Sequence, residues 1–301
     1  MSEFSKRTLG KTGLEVSVLG FGAAPVAFLK EDRDKAEKMI RFLLDRGVNL
    51  IDTATAYPGS HSFLGDTIMD RRDEFVLVSK IGSSAGGLER HSAERMTKEI
   101  EKALSEMKVD HVDVMLLHSA GLEVLEADEA LGAMVEAREA GKVKFVGYSG
   151  DNDAAAFACR LPDVAVLETS VNIADQHNAR EVLPLAGQHN VGVIAKRPIA
   201  NAAWRDLSDQ RGMYQKYAAT YTERLSKMNL DPAAHGLDWA ELALRWTLSQ
   251  DLATAIVGTT NPDNAEKNLE LAGKGPLDDS VRQAVAEAFT AAGGDRWEAQ
   301  T

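Results

Sequence analysis

Cysteine is almost absent. Cys159 is the only one in 301 residues, which excludes an internal disulfide framework and any zinc site built on cysteine ligands. Long apolar runs are missing too. No stretch approaches the ~18–20 uninterrupted apolar residues that a membrane span needs. The opening segment, MSEFSKRTLGKTGLEVSVLGFG, holds no run long enough for a signal-peptide core, so the expected compartment is reducing and cytoplasmic. Basic residues are in deficit, 34 Lys+Arg against 46 Asp+Glu for a formal charge of −12. That argues against a nucleic-acid or anionic-membrane surface, because polyanions are held by clustered Lys and Arg. What remains, 44% apolar and 27% charged, is the composition of a globular enzyme whose core needs no staples.

Short β-branched runs alternate with longer amphipathic stretches. The runs are Ser17-Val-Leu-Gly-Phe, Val48-Asn-Leu-Ile-Asp, Phe75-Val-Leu-Val-Ser, Val112-Asp-Val-Met-Leu-Leu, Val143-Lys-Phe-Val-Gly, Val164-Ala-Val-Leu-Glu, Val191-Gly-Val-Ile-Ala and Ala255-Ile-Val-Gly. Each is short and nearly continuously apolar, as for strands covered on both faces. Between them the period changes: Ala36, Met39, Ile40, Leu43 and Leu44 share one helical face, as do Met96, Ile100, Ala103, Leu104 and Met107. Eight strand–helix alternations predict a parallel sheet, and the count favours closure into a (β/α)8 TIM barrel. An open dinucleotide fold would show Gly-x-Gly-x-x-Gly after its first strand, whereas this chain reads Leu19-Gly-Phe-Gly-Ala-Ala-Pro. A length of 301 residues allows two domains of about 100–200 residues each. Eight strand–helix units account for it in one barrel domain, residues 1–301, provided the stretch from Ile199 to Leu237 is a long loop with some helix after strand seven. A C-terminal helix is expected over Asp279–Ala292, and a small hairpin before Val16 closes the barrel floor.

In such a barrel the working face is the carboxyl end of the strands. The polar residues ending the runs are Asp52, Lys80, His118, Ser149, Glu168 and Lys196, and Tyr57 follows Asp52 by five positions. A phenol has an ordinary pKa near ~10, too high for easy proton exchange at neutrality. A nearby ammonium stabilises the phenolate, and a carboxylate keeps that ammonium charged and oriented. Taken singly, each residue has a plain structural reading as a cap, an exposed lysine, a buried histidine or a turn tyrosine. No packing need places all of them at strand ends together.

At these residues the chain resembles the aldo-keto reductase superfamily along nearly its whole length. Gly47-Val-Asn-Leu-Ile-Asp52-Thr-Ala-Thr-Ala-Tyr57 is similar to the family's second-strand signature. Phe75-Val-Leu-Val-Ser-Lys80 and Val109-Asp-His-Val-Asp-Val-Met-Leu-Leu-His118 resemble the segments ending in its catalytic Lys and His. The opening from Leu9 through Gly20 and Gly22 also fits. The resemblance implies NAD(P)-dependent hydride transfer to or from a small aldehyde, ketone or sugar-like carbonyl. Tyr57 would be the general acid/base, tuned by Lys80 with Asp52, and His118 would orient the carbonyl oxygen. No metal is implied, since paired His ligands at strand ends are lacking.

The implied cofactor site departs from the family pattern. Ser149 stands where the carboxamide is held, but Gly150 replaces the usual Asn, and Glu168 replaces a Gln. Lys196 replaces the aromatic that commonly stacks on the nicotinamide, so its stem packs there or its charge meets phosphate or substrate. Gly258, Thr259, Thr260, Asn264, Lys267 and Asn268 match the eighth loop and following helix, whose N-terminal amides would hold phosphate. Members using NADP(H) often carry Arg or Lys at the places of Thr260 and Asn264. Both are neutral here, which weakens the case for NADP(H), because a dianionic phosphate without a cationic partner binds less tightly; Lys267 and Arg197 are the available substitutes, so NADP(H) and NAD(H) both stay open. For the substrate the resemblance points to a polar cleft with Tyr57, His118, Lys196, Arg197, Asn201 and Trp204, and with His61 capping or facing solvent. The reading from another class is a nicotinamide-sensing regulatory subunit without physiological turnover. No feature assigns an oligomeric state.

Overall fold

A computed structural model describes residues 5–28, 33–83, 87–210, 214–259 and 261–301. Two strands come first, β1 (Lys6–Thr8) and β2 (Glu15–Ser17), paired antiparallel with Lys6 opposite Ser17. Eight more follow: β3 (Leu19–Gly22), β4 (Leu50–Asp52), β5 (Val76–Ile81), β6 (Val112–His118), β7 (Val143–Ser149), β8 (Val164–Ser170), β9 (Gly192–Lys196) and β10 (Thr254–Val257). They lie side by side in chain order, and β10 closes on β3. Every pairing in this ring is parallel. The apolar runs therefore form the (β/α)8 barrel that their number predicts.

Alternate residues of each strand enter two separate packed sets, as the two-residue strand period requires. Leu50, Val76, Val78, Val114, Leu116, Val166, Ile194 and Ile256 meet inside the barrel, together with Leu9 and Val16 of the β1–β2 hairpin. The hairpin thus plugs the floor. The intervening residues Ile51, Leu77, Met115, Leu117, Leu167, Val193 and Val257 pack outward against the helices.

The helical shell comprises α1 (Arg33–Asp45), α2 (Ser60–Thr67), α3 (Ala93–Met107), α4 (Leu122–Ala127), α5 (Glu129–Glu139), α6 (Asn152–Ala158), α7 (His177–Glu181) and α8 (Leu183–Gln188). It continues with α9 (Tyr214–Met228), α10 (Trp239–Leu248), α11 (Pro262–Gly273) and α12 (Asp279–Ala291). The apolar stripes read from the sequence are the faces they bury: Ala36, Met39, Ile40, Leu43 and Leu44 on α1, and Val281, Val285 and Phe289 on α12. Each large side chain so buried contributes roughly 1.5–3 kcal/mol. The segment after β9 carries α9, as expected of a long loop with some helix.

The β7–β8 pairing slips by one residue. Val146 faces Val164, but Gly147 faces Val166 and Ser149 faces Glu168. Without the slip Ser149 would face Leu167, and Glu168 would lie out of register with it.

Candidate active site

The alternation that fills the barrel also delivers the polar groups. Two residues beyond Leu50, Val78, Leu116, Gly147, Val166 and Ile194 stand Asp52, Lys80, His118, Ser149, Glu168 and Lys196. The same inward row that is apolar at mid-barrel becomes titratable at its carboxyl end. Five of the six, with Tyr57, Gly22 and Gly258, line a cavity of about 600 Å³. Lys80 lies beneath it, only 1% exposed.

The Lys80 ammonium donates to Asp52 Oδ1 and, at 3.3 Å, to the Thr53 carbonyl. Glu168 Oε2 stands 3.0 Å away on the other side. The Tyr57 ring centre is 5.6 Å from Lys80 Nζ, and 6.2 Å from the His118 ring at a nearly perpendicular 87°. Burial, reinforced by Glu168, pushes the Asp52 carboxyl well above the carboxylate range despite Lys80. Burial also works against the Lys80 charge, yet Asp52 and Glu168 overcome it and hold the ammonium above its ordinary value. The Tyr57 phenol is raised chiefly by burial, with Lys80 pulling down and Asp52 and Glu168 pushing up. The net displacement is thus upward: burial, and then the two carboxylates, outweigh the downward pull of Lys80 that the sequence suggests. Burial, then the cations Lys80, Lys196 and Arg197, take His118 down to about 3, so its imidazole is neutral near pH 7. Its buried Nδ1 has no hydrogen-bond partner among the described residues.

Around the β7 and β9 ends the departures from the family pattern acquire physical reasons. Gly150 sits over the Tyr148 ring: a Cβ there would lie 2.3 Å from the Tyr148 hydroxyl, which donates to the Ala120 carbonyl at 2.7 Å. With Tyr148 held there, a side chain such as Asn does not fit. Lys196 lines the cavity, and its ammonium is 2.9 Å from Asp151 Oδ2. Asp151 also accepts from Ser170 N at 2.7 Å, Asn178 Nδ2 at 2.8 Å and Thr169 Oγ1 at 3.1 Å. Although burial opposes its charge, Lys196, Arg197 and these donors hold its carboxyl below the ordinary range. Arg197 donates to Ser170 Oγ at 2.7 Å and to the Gln300 carbonyl, with its guanidinium 3.9 Å above the Tyr217 ring.

Residues 298–301 form part of the same wall. Arg224 Nη2 donates to the Glu298 carbonyl at 2.6 Å, and Asn152 exchanges two hydrogen bonds with the Ala299 backbone at 2.7 and 3.0 Å. Gln300 N donates to the buried Asp175 at 2.9 Å, and the Tyr217 hydroxyl donates to the Thr301 carbonyl at 3.1 Å. Thr301 lines the cavity.

The remaining sequence candidates lie elsewhere. Trp204 stacks on Trp239 at 5.9 Å and does not line the cavity. His61 neither caps nor faces solvent: it is 2% exposed, with Nε2 2.9 Å from Ser79 Oγ and Nδ1 3.5 Å from Glu106. Thr259 Oγ1 accepts from Asn261 N at 3.1 Å, next to the start of α11, while Asn264 is exposed and Asn268 buried. Lys267 is paired with Asp238 at 2.7 Å. Thr260 lies outside the described residues. Sequence reasoning missed Asp151, Asp175, Arg205 and the 298–301 segment. The adjacency of Asp151 to the Ser149-Gly150 turn is the one signal that could have drawn attention to it.

A closed parallel barrel with titratable groups gathered at the strands' carboxyl ends defines a barrel enzyme by fold and site together. The sequence profile of the Aldo/keto reductase family matches residues 18–289, and the chain belongs to that family. Among curated proteins, L-galactose dehydrogenase of Arabidopsis thaliana is 27% identical over 289 residues, spanning 89% of this chain and 88% of its own. A probable voltage-gated potassium channel subunit beta from the same plant is 27% identical over 305 residues, spanning 90% and 92%. An aldo-keto reductase of Bacillus halodurans, solved in its holo form, matches with a TM-score of 0.79 at 25% identity, covering 95% of this chain and 96% of its own.

The protein is accordingly an oxidoreductase, and the cavity is compatible with a nicotinamide cofactor. Two observations agree with that group. Ser149 Oγ and Glu168 Oε1 stand a loose 3.5 Å apart at the cavity, leaving both oxygens able to engage a carboxamide. Asn201 Nδ2, on another cavity-lining residue, is buried without a partner among the described residues.

Proposed function

We propose that this protein interconverts a small carbonyl compound and its alcohol, with Tyr57 as the proton donor and acceptor. The observation that carries the reading is Tyr57 lying over a buried Asp52–Lys80 pair with His118 beside it on the same cavity. The bound cofactor supplies or accepts the hydride. In the reducing direction Tyr57 gives its proton to the carbonyl oxygen, and the neutral imidazole of His118 donates a hydrogen bond to that oxygen. Lys80 then faces a phenolate, and its charge counts for more there than it did against the phenol. These contacts strengthen as charge builds on oxygen, which is what lowers the barrier. In the oxidising direction Tyr57 takes the proton back.

The substrate reading is a polyhydroxylated or anionic carbonyl compound. Asn201, Gln210, Tyr214, Tyr217, Arg197 and Arg205 supply a polar wall for it. Likeness to an L-galactose dehydrogenase points the same way. For the cofactor, Lys267 is engaged by Asp238, and Arg197 by Ser170 and the Gln300 carbonyl. Neither cation is left to meet a 2′-phosphate, which supports NAD(H) over NADP(H).

The purified protein, assayed with NADH and with NADPH against a panel of sugars and small aldehydes, tests both points. Turnover is expected with NADH preferred, and Tyr57→Phe is expected to lower kcat by about 10²–10⁴-fold. Equal rates in the variant would exclude Tyr57 from the chemistry. The likeness to a channel beta subunit favours a second reading, a cofactor-binding sensor. Cofactor binding without turnover on any carbonyl would select it.

A further inference from the structure

Glu168 is a second carboxylate beside Lys80, which already donates to Asp52. It is 2% exposed, lines the cavity, and brings Oε2 to 3.0 Å from the ammonium and Oε1 to 3.5 Å from Ser149 Oγ. Its place results from the register slip in β7–β8, so that His118, Ser149 and Glu168 are successive register partners on one tier of the barrel. Hydride transfer requires the nicotinamide ring to touch the carbon whose oxygen meets Tyr57 and His118. Glu168 lines the same cavity as Tyr57 and His118, so its carboxylate borders the space that the ring would occupy. The oxidised ring carries a positive charge and the reduced ring none.

We propose that Glu168 makes the nicotinamide site selective for redox state, holding the oxidised, cationic cofactor more tightly than the reduced, neutral one. The inference rests on the oxidoreductase reading above. With two carboxylates for one ammonium, the floor of the cavity has one more acidic group than its base can match. On the next strand Lys196 is matched by Asp151; Arg197 keeps its charge but is held by Ser170 and the Gln300 carbonyl, whereas the Glu168 carboxylate is the acid beside Ser149. The raised Asp52 carboxyl and raised Tyr57 phenol are responses to burial and to the same excess. A cation over Glu168 also leaves more of the Lys80 charge to Tyr57. Glutamine at this position would keep the shape and the amide-accepting oxygen while removing the charge.

The test is equilibrium titration of the whole protein with NAD+ and with NADH, followed by calorimetry and tryptophan fluorescence without substrate. Wild type is expected to bind NAD+ about tenfold more tightly than NADH, as one buried charge bordering the ring predicts after screening. Glu168→Gln should bring the ratio close to one by weakening NAD+, and Glu168→Asp should retain most of the preference. Equal affinities in wild type, or an unchanged ratio in Glu168→Gln, would overturn the proposal. Equal loss of both forms in that variant would overturn it too, since it would mark a role in shape alone. Should Glu168→Gln fail to fold, the wild-type ratio and Glu168→Asp decide the matter. If neither form of NAD or NADP binds, the oxidoreductase reading itself falls and takes this inference with it, whereas tight but equal binding removes only the inference.

Discussion

At the floor of the cavity two carboxylates, Asp52 and Glu168, close on one ammonium; at the β9 wall two cations, Lys196 and Arg197, stand near one carboxylate, Asp151. The side chains of Asp52 and Asp151 are equally hidden, 2% and 0% exposed. Their carboxyls are nevertheless displaced in opposite directions, Asp52 up and Asp151 down. Burial is common to both, so it cannot be the deciding cause. What differs is the company. Asp151 has a backbone amide, an Asn amide and a Thr hydroxyl besides its lysine, whereas Asp52 shares its lysine with a competing acid. Donor supply, not depth, sets whether a buried acid keeps its charge here.

That contrast can be broken most severely at Lys80. Lys80→Met leaves Asp52 and Glu168 buried without their cation, a loss of about 3–5 kcal/mol. It should appear as a lowered melting temperature that partly recovers in acid, where the two carboxyls can take up protons. Lys196→Met removes the matching cation at the other wall, but Asp151 keeps its three hydrogen bonds. A smaller loss of about 1–2 kcal/mol is expected by urea titration, and a result equal to that of Lys80→Met would refute the distinction. The gentlest probe is pH. His118 takes up its proton at about 3 in the folded protein, against an ordinary value near ~6.5 in the unfolded chain. Its contribution to stability is thus fully present above ~6.5 and is lost progressively as pH falls towards the folded value. His118→Asn should therefore lose less stability than wild type between neutrality and about pH 5, by about 2 kcal/mol. Parallel melting curves across that window would show that the imidazole titrates freely.

The architecture was readable because strand periodicity and helical periodicity are local. Eight apolar runs ending in polar residues locate the inward row of the barrel and the tier at its carboxyl end without knowledge of any contact. The pairing of Glu168 with Lys80 was not readable, because it depends on a one-residue slip between β7 and β8 that no pattern in either strand announces. Lys196 illustrates the same limit: its partner Asp151 follows a different strand, and only closure of the sheet brings them together. Trp204 and His61 were placed by loop position, and loop position does not reveal that an indole will stack on Trp239 or an imidazole turn inward to Ser79. The docking of residues 298–301 uses single polar side chains from several helices and leaves no periodic trace.

That last segment has a consequence for how the site can change. Its anchors are main-chain atoms: the carbonyls of Glu298, Ala299, Gln300 and Thr301, and the amides of Ala299 and Gln300. Because the backbone is what is held, an exposed side chain such as that of Thr301 is free to vary without loosening the attachment, whereas Ala299 is buried. Thr301, at the edge of the cavity, is in that sense an exchangeable tile. On the proposed function, substitutions at Thr301 are expected to retune substrate preference, read as kcat/KM across the carbonyl panel, without touching Tyr57, Lys80 or His118.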